Sequence, residues 1–258
     1  MRQSVTWLDP RISASPPIRD SVHIPVSELP KRVHELPSRQ ETIWIADAGT
    51  EAQDAVEWLR SNGRICELQS DFEFGEAGNG RLWSPNRFLE PCVPQIPIGK
   101  ALDLACGSGR DAVFLASAGF EVTAVDHLED ALVMGRDLAR RYLRQGEDVE
   151  WVCSDLEQST PSGRFDLVTC FRYLNREVLS NISRLLNPGG HLVFETFTSI
   201  HREKFGKPRT ERFVLQPGEL RSFVSNLTIV EYDENWHDGS HTAQLWAKNA
   251  LDPRYANN

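Results

Sequence analysis

The stretch Lys100-Ala101-Leu102-Asp103-Leu104-Ala105-Cys106-Gly107-Ser108-Gly109-Arg110-Asp111-Ala112 decides how this chain is read. Residues 101–105 form a short, almost continuously apolar run, which is what a strand covered on both faces of a parallel sheet requires. Gly107-Ser108-Gly109 then turns the chain. Residues 111–118 have helical spacing, with Gly119 as the C-cap. Glycines between a strand and a helix let the backbone turn sharply and come close to a ligand. Residues 120–125 read as the next strand, and Asp126 ends it, where a carboxylate can accept both hydroxyls of a ribose. Together these features predict a nucleotide-type ligand. Gly107-x-Gly109-x-x-Ala112 also fits a nicotinamide or flavin fingerprint, so the loop alone leaves the ligand open.

Working outward, the strand–helix alternation continues. Leu128, Ala131, Leu132, Gly135, Leu138, Ala139 and Tyr142 recur at helical spacing. Residues 149–153, 165–171 and 191–197 read as three further strands, with a helix over 177–186 before the last. Residues 227–232 and 242–247 read as two final strands joined by the Asp238-Gly239 turn, a hairpin signal. Residues 99–258 therefore predict an α/β domain: a doubly wound, mostly parallel seven-stranded sheet with a C-terminal antiparallel hairpin. Within it, Asp103 precedes the glycines, where its carboxylate can meet an ammonium group or the loop amides. Ser154-Asp155-Leu156 follows the third strand, where an acid and an apolar residue can hold an adenine edge and face. Asn187-Pro188-Gly189-Gly190 leads into the fifth strand.

Taken in order, these positions resemble the class I S-adenosylmethionine-dependent methyltransferases over residues 99–258. Gly107-Ser108-Gly109-Arg110-Asp111-Ala112, Phe171-Arg172-Tyr173-Leu174-Asn175-Arg176 and Phe194-Glu195-Thr196-Phe197 further resemble the tellurite-resistance and thiopurine methyltransferase-like branch. The resemblance implies S-adenosylmethionine as cofactor, with Asp103, Ala105, Gly107 and Gly109 around its methionine part. It implies Asp126 at the ribose, Asp155 and Leu156 at the adenine, and Phe171 beside the ligand. Ala105 stands where the family usually has glycine, a departure of one methyl group that is expected to be tolerated. The branch implies a small-molecule acceptor with a soft or anionic atom. Because methyl transfer is an in-line displacement, placement matters more than a strong base. The catalytic candidates lie on the rim of the fourth and fifth strands. Arg172 is a fork of donors for an anionic acceptor, Tyr173 orients it, and Glu195 takes its proton. Arg176 is a further candidate for the anion, and its bland alternative, like that of Arg172, is pairing with Glu195 or Glu177. Cys170 reads as core. The basic stretch 201–221 reads equally as a lid over the pocket or as a solvated face. Trp236 and His237 receive no role.

The amino-terminal part resembles a rhodanese-like domain over residues 1–70. Val5-Thr6-Trp7-Leu8-Asp9-Pro10-Arg11, then Val22-His23-Ile24-Pro25, then Thr42-Ile43-Trp44-Ile45-Ala46-Asp47 and a helix over 52–59 carry the likeness. That family bears a persulfide on a cysteine directly after the third strand. Asp47 fills the position here and cannot carry sulfur, which implies an inactive module for docking a protein or contacting a second copy. Residues 71–98, with Gly75, Gly78, Gly80, Pro85, Pro91, Pro94, Pro97 and Gly99, read as a connector.

Composition sets outer limits. The chain has 258 residues with 28 basic against 37 acidic side chains, a net charge of −9. That balance argues against broad nucleic-acid or anionic-membrane binding. No apolar run approaches the roughly 20 residues of a membrane helix, and the start carries no visible secretory signal. The five scattered cysteines form no Cys-x-x-Cys pair, so neither a disulfide framework nor a metal site is expected, and a reducing cytoplasmic setting is. The rival to an enzyme is a non-enzymatic S-adenosylmethionine-binding regulator or protein-docking module.

Overall fold

A computed structural model describes residues 6–76, 80–159 and 161–250. Val5 and Gly78, named above, lie outside the described residues. The chain divides into two compact units, residues 1–84 and 85–258.

The first unit is built on four parallel strands, β1 (Trp7–Asp9), β2 (Ser21–His23), β3 (Thr42–Ala46) and β4 (Ile65–Gln69), in the order β2-β1-β3-β4. Helix α1 (Glu51–Ser61) returns the chain from β3 to β4. Its apolar residues Ala52, Ala55, Val56 and Leu59 recur at three- and four-residue spacing and are buried with Leu8, Ile43 and Ile45. Two 3-10 turns, Val26–Lys31 and Val33–Glu35, fill the passage from β2 to β3.

In the second unit, residues 85–98, expected as connector, join the core. Phe88, Leu89, Cys92, Val93 and Ile96 are buried, and Leu89–Cys92 forms the short helix α2. The main alternation follows: β5 (Lys100–Leu104), α3 (Arg110–Ser117), β6 (Glu121–Asp126), α4 (Glu129–Tyr142), β7 (Val149–Cys153), β8 (Phe165–Phe171), α5 (Arg176–Ser180), β9 (Leu186–Phe197), α6 (Ser199–Phe205), α7 (Glu219–Phe223), β10 (Thr228–His237) and β11 (Ser240–Lys248). The seven strands lie in the order β10-β11-β9-β8-β5-β6-β7. Strands β5 to β9 are mutually parallel, and β11 and β10 join antiparallel.

Alternate strand residues enter two separate cores. Leu102, Leu104, Val168, Cys170, Leu192 and Phe194 belong to one. Ala101, Leu167, Phe171 and Val193 belong to the other. Both faces are therefore covered, which is why the runs are continuously apolar rather than alternating. The expected helix over 177–186 is shorter: α5 stops at Ser180, a 3-10 turn spans Ile182–Leu185, and strand begins at Leu186. The hairpin turn is Asp238-Gly239, with φ of 47° and 77°, the left-handed pair that matches strand twist.

The chain runs from β5 outward to β7, then returns to β8 on the other side of β5. That reversal leaves a crevice beyond the carboxyl ends of β5 and β8, where open α/β sheets bind ligands.

Candidate functional site

The loop from β5 to α3 forms one lip of the crevice. Ala105, Gly107 and Gly109 all adopt left-handed backbone, with φ of 55°, 54° and 74°. Glycine does this freely, whereas alanine at 105 costs about 1–2 kcal/mol. The methyl group is thus tolerated sterically but not without strain. Gly109 has a second reason to be glycine, because a Cβ there would stand 2.3 Å from the Trp151 ring. At Gly107 a Cβ would meet nothing within 4 Å, so this turn faces open room.

Asp126 ties the loop to the next strand. One carboxylate oxygen accepts the Gly107 amide at 2.8 Å, and the other accepts the Leu128 amide at 3.0 Å. Asp103 is 1% exposed. Its Oδ1 accepts the Thr169 hydroxyl at 2.9 Å, while Oδ2 has no hydrogen-bond partner. Burial, and then the charge of Asp111, pushes the Asp103 carboxyl well above the usual range. Asp111 itself is pushed up to about 6, chiefly by burial. The Asn86 amide, 2.6 Å from its Oδ1, works in the opposite sense. Burial beside these acids also raises the Cys106 thiol, so it stays protonated and is no nucleophile.

A cavity of about 450 Å³ opens over this lip. Asp126, Ser154, Asp155 and Leu156 form one wall, and Arg172, Tyr173, Arg212 and Phe213 form the other. Ala105 also lines it. The Asp155 carboxylate is oriented by the Glu157 amide and the Gln158 side chain, each at 2.9 Å. Burial raises the Tyr173 phenol above its ordinary value, so it acts as a hydroxyl donor rather than a base.

Among the residues expected from the sequence, Ala105, Asp126, Asp155, Leu156, Arg172 and Tyr173 line this cavity. Asp103, on β5, and Gly107 and Gly109, in the loop after it, lie outside the cavity lining. Phe171 does not reach it: alternation along β8 turns the ring into the core with Val193 and Trp246. Glu195 is also displaced from its expected role. It is 3% exposed, and both oxygens are taken, one by Asn86 Nδ2 at 2.7 Å and the other by Thr242 Oγ1 at 2.8 Å. A carboxylate so enclosed, and absent from the cavity lining, is a brace and not a proton acceptor for a substrate.

Arg176 is structural as well. It holds Glu219 through two bonds of 2.6 and 3.0 Å and donates to the carbonyls of Arg212 and Val214. Those bonds carry part of the basic stretch to the cavity, where Pro208, Arg212 and Phe213 are wall residues. Arg212 meets Glu157, from the other wall, at 2.9 Å. Nothing in the sequence pattern points to Asn86, whose partner Glu195 is 109 residues away.

Three features test whether S-adenosylmethionine fits. The cofactor carries an ammonium group, and the orphaned oxygen of Asp103 calls for a cationic donor. It needs a loop that its methionine part can approach, and Gly107 leaves that room. Its ribose and adenine need acceptors, and Asp126 and Asp155 share one wall. The donor set fits.

Comparison with known proteins agrees. The family described as Methyltransferase domain matches residues 101–190. The chain is 23% identical over 164 residues to the probable S-adenosyl-L-methionine-dependent methyltransferase TehB of Haemophilus influenzae, covering 61% of this chain and 53% of that protein. It is 26% identical over 273 residues to an uncharacterised protein of Schizosaccharomyces pombe, covering 81% of this chain and 80% of that one. The solved structure of TehB from Haemophilus influenzae matches with a TM-score of 0.53 at 21% identity, over 64% of this chain and 62% of that one. The chain thus spans about half the length of the first of these relatives. Residues 101–190 thus match a methyltransferase domain, and the second unit shares the fold of the solved TehB structure.

Proposed function

From that methyltransferase fold we propose that the chain catalyses methyl transfer from S-adenosylmethionine to a small acceptor bearing a soft or anionic nucleophile. One observation carries the reading. A single cavity joins an acidic wall, Asp126 and Asp155, to a wall with the guanidinium of Arg172 and the phenol of Tyr173. Cofactor and anionic acceptor then have complementary ends of one site.

When bound, S-adenosylmethionine supplies an electrophilic methyl group on a sulfonium. Asp126 holds the ribose hydroxyls with the lone pairs left over from its two amide bonds. Asp155 and Leu156 hold the adenine edge and face, and Asp103 Oδ2 accepts the ammonium. Arg172 binds the acceptor's negative charge, and Tyr173 donates to it as a hydroxyl. No carboxylate on the acceptor wall is free to act as base, so the chain works by alignment, which can contribute roughly 7–11 kcal/mol. An acceptor already ionised at neutral pH suits that arrangement.

The amino-terminal unit we read as a rhodanese-like module without sulfur chemistry. Its four parallel strands and the position of Asp47 directly after β3 support this. Its role is then docking of a protein or of a second copy. The free thiols among five cysteines accord with a reducing cytoplasm. Among the described residues no helix is long and apolar enough to cross a membrane.

The test is release of S-adenosylhomocysteine from labelled S-adenosylmethionine with a panel of thiols, selenite, small carboxylates and neutral amines. Saturable turnover with a soft or anionic acceptor, lost in Arg172→Ala, is expected. Turnover with neutral amines alone would overturn the acceptor class.

A further inference from the structure

Two arginines, Arg172 and Arg212, line the cavity, and a third, Arg176, anchors the segment that carries Arg212; two of the three are spent. Arg176 is committed to Glu219 and two carbonyls, and Arg212 is paired with Glu157. Arg172 is 44% exposed in its side chain, and its nearest carboxylate oxygen, Glu195 Oε1, lies at 3.9 Å, beyond hydrogen-bond reach. That oxygen already accepts from Thr242. Among the described residues the Arg172 guanidinium donates to no protein acceptor, yet it is not loose. Its backbone sits at φ 60°, and its amide donates to the Glu195 carbonyl at 2.8 Å. Its guanidinium carbon lies 4.5 Å from the centre of the Phe197 ring.

Phe197 is itself held. His201 stacks on it at 4.4 Å and 25°. The His201 ring is fixed in turn, since its Nδ1 accepts the His241 amide at 3.2 Å. With Nδ1 accepting, the ring is neutral and carries its proton on Nε2, so no imidazolium repels Arg172. Burial lowers the His201 pKa in the same sense.

We infer that Phe197 is a positioning residue for the acceptor: its ring fixes the plane of the Arg172 guanidinium so that the unspent N–H edge faces the cavity and reads a small oxyanion. A guanidinium with one face on an aromatic ring keeps its in-plane donors for a bidentate acceptor. This rests on the reading of the cavity as the cofactor and acceptor site. It adds a residue which lines none of that cavity, and it narrows the acceptor to small oxyanions that present two oxygens to one guanidinium edge.

The experiment uses the full chain loaded with S-adenosylhomocysteine, titrated calorimetrically with thiosulfate as the oxyanion probe. Wild type, Arg172→Lys, Phe197→Leu, Phe197→Met and Phe197→Tyr are compared, with melting curves as a fold check. Phe197→Leu and Phe197→Met should each weaken thiosulfate by about two- to fivefold. Phe197→Tyr should stay within about twofold of wild type, and Arg172→Lys should weaken it more than either aliphatic variant. S-Adenosylhomocysteine affinity should not move in the Phe197 variants. Thiosulfate binding equally tight in the aliphatic variants, or absent from wild type, overturns the inference while leaving the cofactor site intact. A folded wild type that binds no S-adenosylhomocysteine overturns the underlying reading of the cavity, and this inference falls with it.

Discussion

The loop from β5 to α3 and the loop from β3 to α1 both carry the chain from the carboxyl end of a parallel strand into a helix. In the first, three left-handed residues, 105, 107 and 109, curl the backbone, and Asp126 reaches across from the neighbouring strand to hold an amide. The buried Asp103 behind it keeps one oxygen unpartnered. In the second, Asp47 is exposed and its amide bonds the Gln69 carbonyl at 2.9 Å. The helix entrance there is taken by the chain's own Glu51, whose carboxyl is held below its ordinary value by its own amide first, and also by Thr50 and Arg11. The first loop adjoins a buried carboxylate oxygen without a partner, while the second is closed by its own Glu51 and Thr50. Strand–loop–helix topology is common to both, so ligand capacity resides in side chains and φ angles and not in the fold alone.

The contrast breaks most severely at Gly109. Gly109→Ala combines a left-handed alanine with a methyl group 2.3 Å from Trp151, and should cost about 3–5 kcal/mol. Thermal melting checks this, and an unchanged Tm would mean that the loop is not as tightly seated on Trp151 as described.

The next effect is pH dependent. A carboxyl whose folded pKa is raised binds more protons in the folded state, so its contribution to stability is present at low pH and lost as pH rises through that pKa. For Asp111, raised to about 6, the loss falls between about pH 4 and pH 6 and reaches about 3 kcal/mol. Asp111→Asn should therefore raise the Tm of the cofactor-free protein at pH 7.5 and flatten its fall between pH 4 and pH 6. A parallel fall in wild type and variant would contradict the raised pKa.

A smaller gain is expected at the strained alanine. Ala105→Gly should add about 1 kcal/mol, or about 2–4 °C in Tm, and tighten cofactor binding slightly. A lower Tm would mean that the flexibility gained by the unfolded chain outweighs the strain relieved. At the far end of the scale, Asp47→Ala should shift stability by less than about 0.5 kcal/mol and leave cofactor affinity unchanged. A weakened cofactor in that variant would show that the second loop is not blunt.

Legibility from sequence followed burial and contact distance. Strands β5 and β8 are readable because burial on both faces leaves nearly continuous apolar runs, whereas β7, at the sheet edge, carries the exposed Glu150 and is placed by the alternation instead. β4 was not read, because Ile65 is exposed and Cys66 alone in it is buried. The apolar pattern after β8 predicts a helix through Leu186, but α5 ends at Ser180 and a 3-10 turn continues the apolar spacing. That Asp126, Asp155 and Arg172 come together around one cavity is legible because strand ends are fixed by the alternation. Phe171 was misread because its facing depends on the phase of β8, which a fully apolar run conceals. Glu195 was misread because its partners Asn86 and Thr242 come from remote segments. Phe197 was legible only as part of a motif, its role being set by φ at Arg172 and by His201.

The central claim is that the first loop and its acidic wall hold S-adenosylmethionine. Titration calorimetry of the cofactor-free full chain with S-adenosylmethionine and, separately, NADH tests it most directly, on wild type and on Asp126→Ala with circular dichroism as a fold check. Micromolar S-adenosylmethionine binding that weakens by about 100-fold in the variant, with no NADH binding, is the predicted result. A folded wild type that ignores S-adenosylmethionine, or an Asp126→Ala variant that binds it as tightly as wild type, would contradict it.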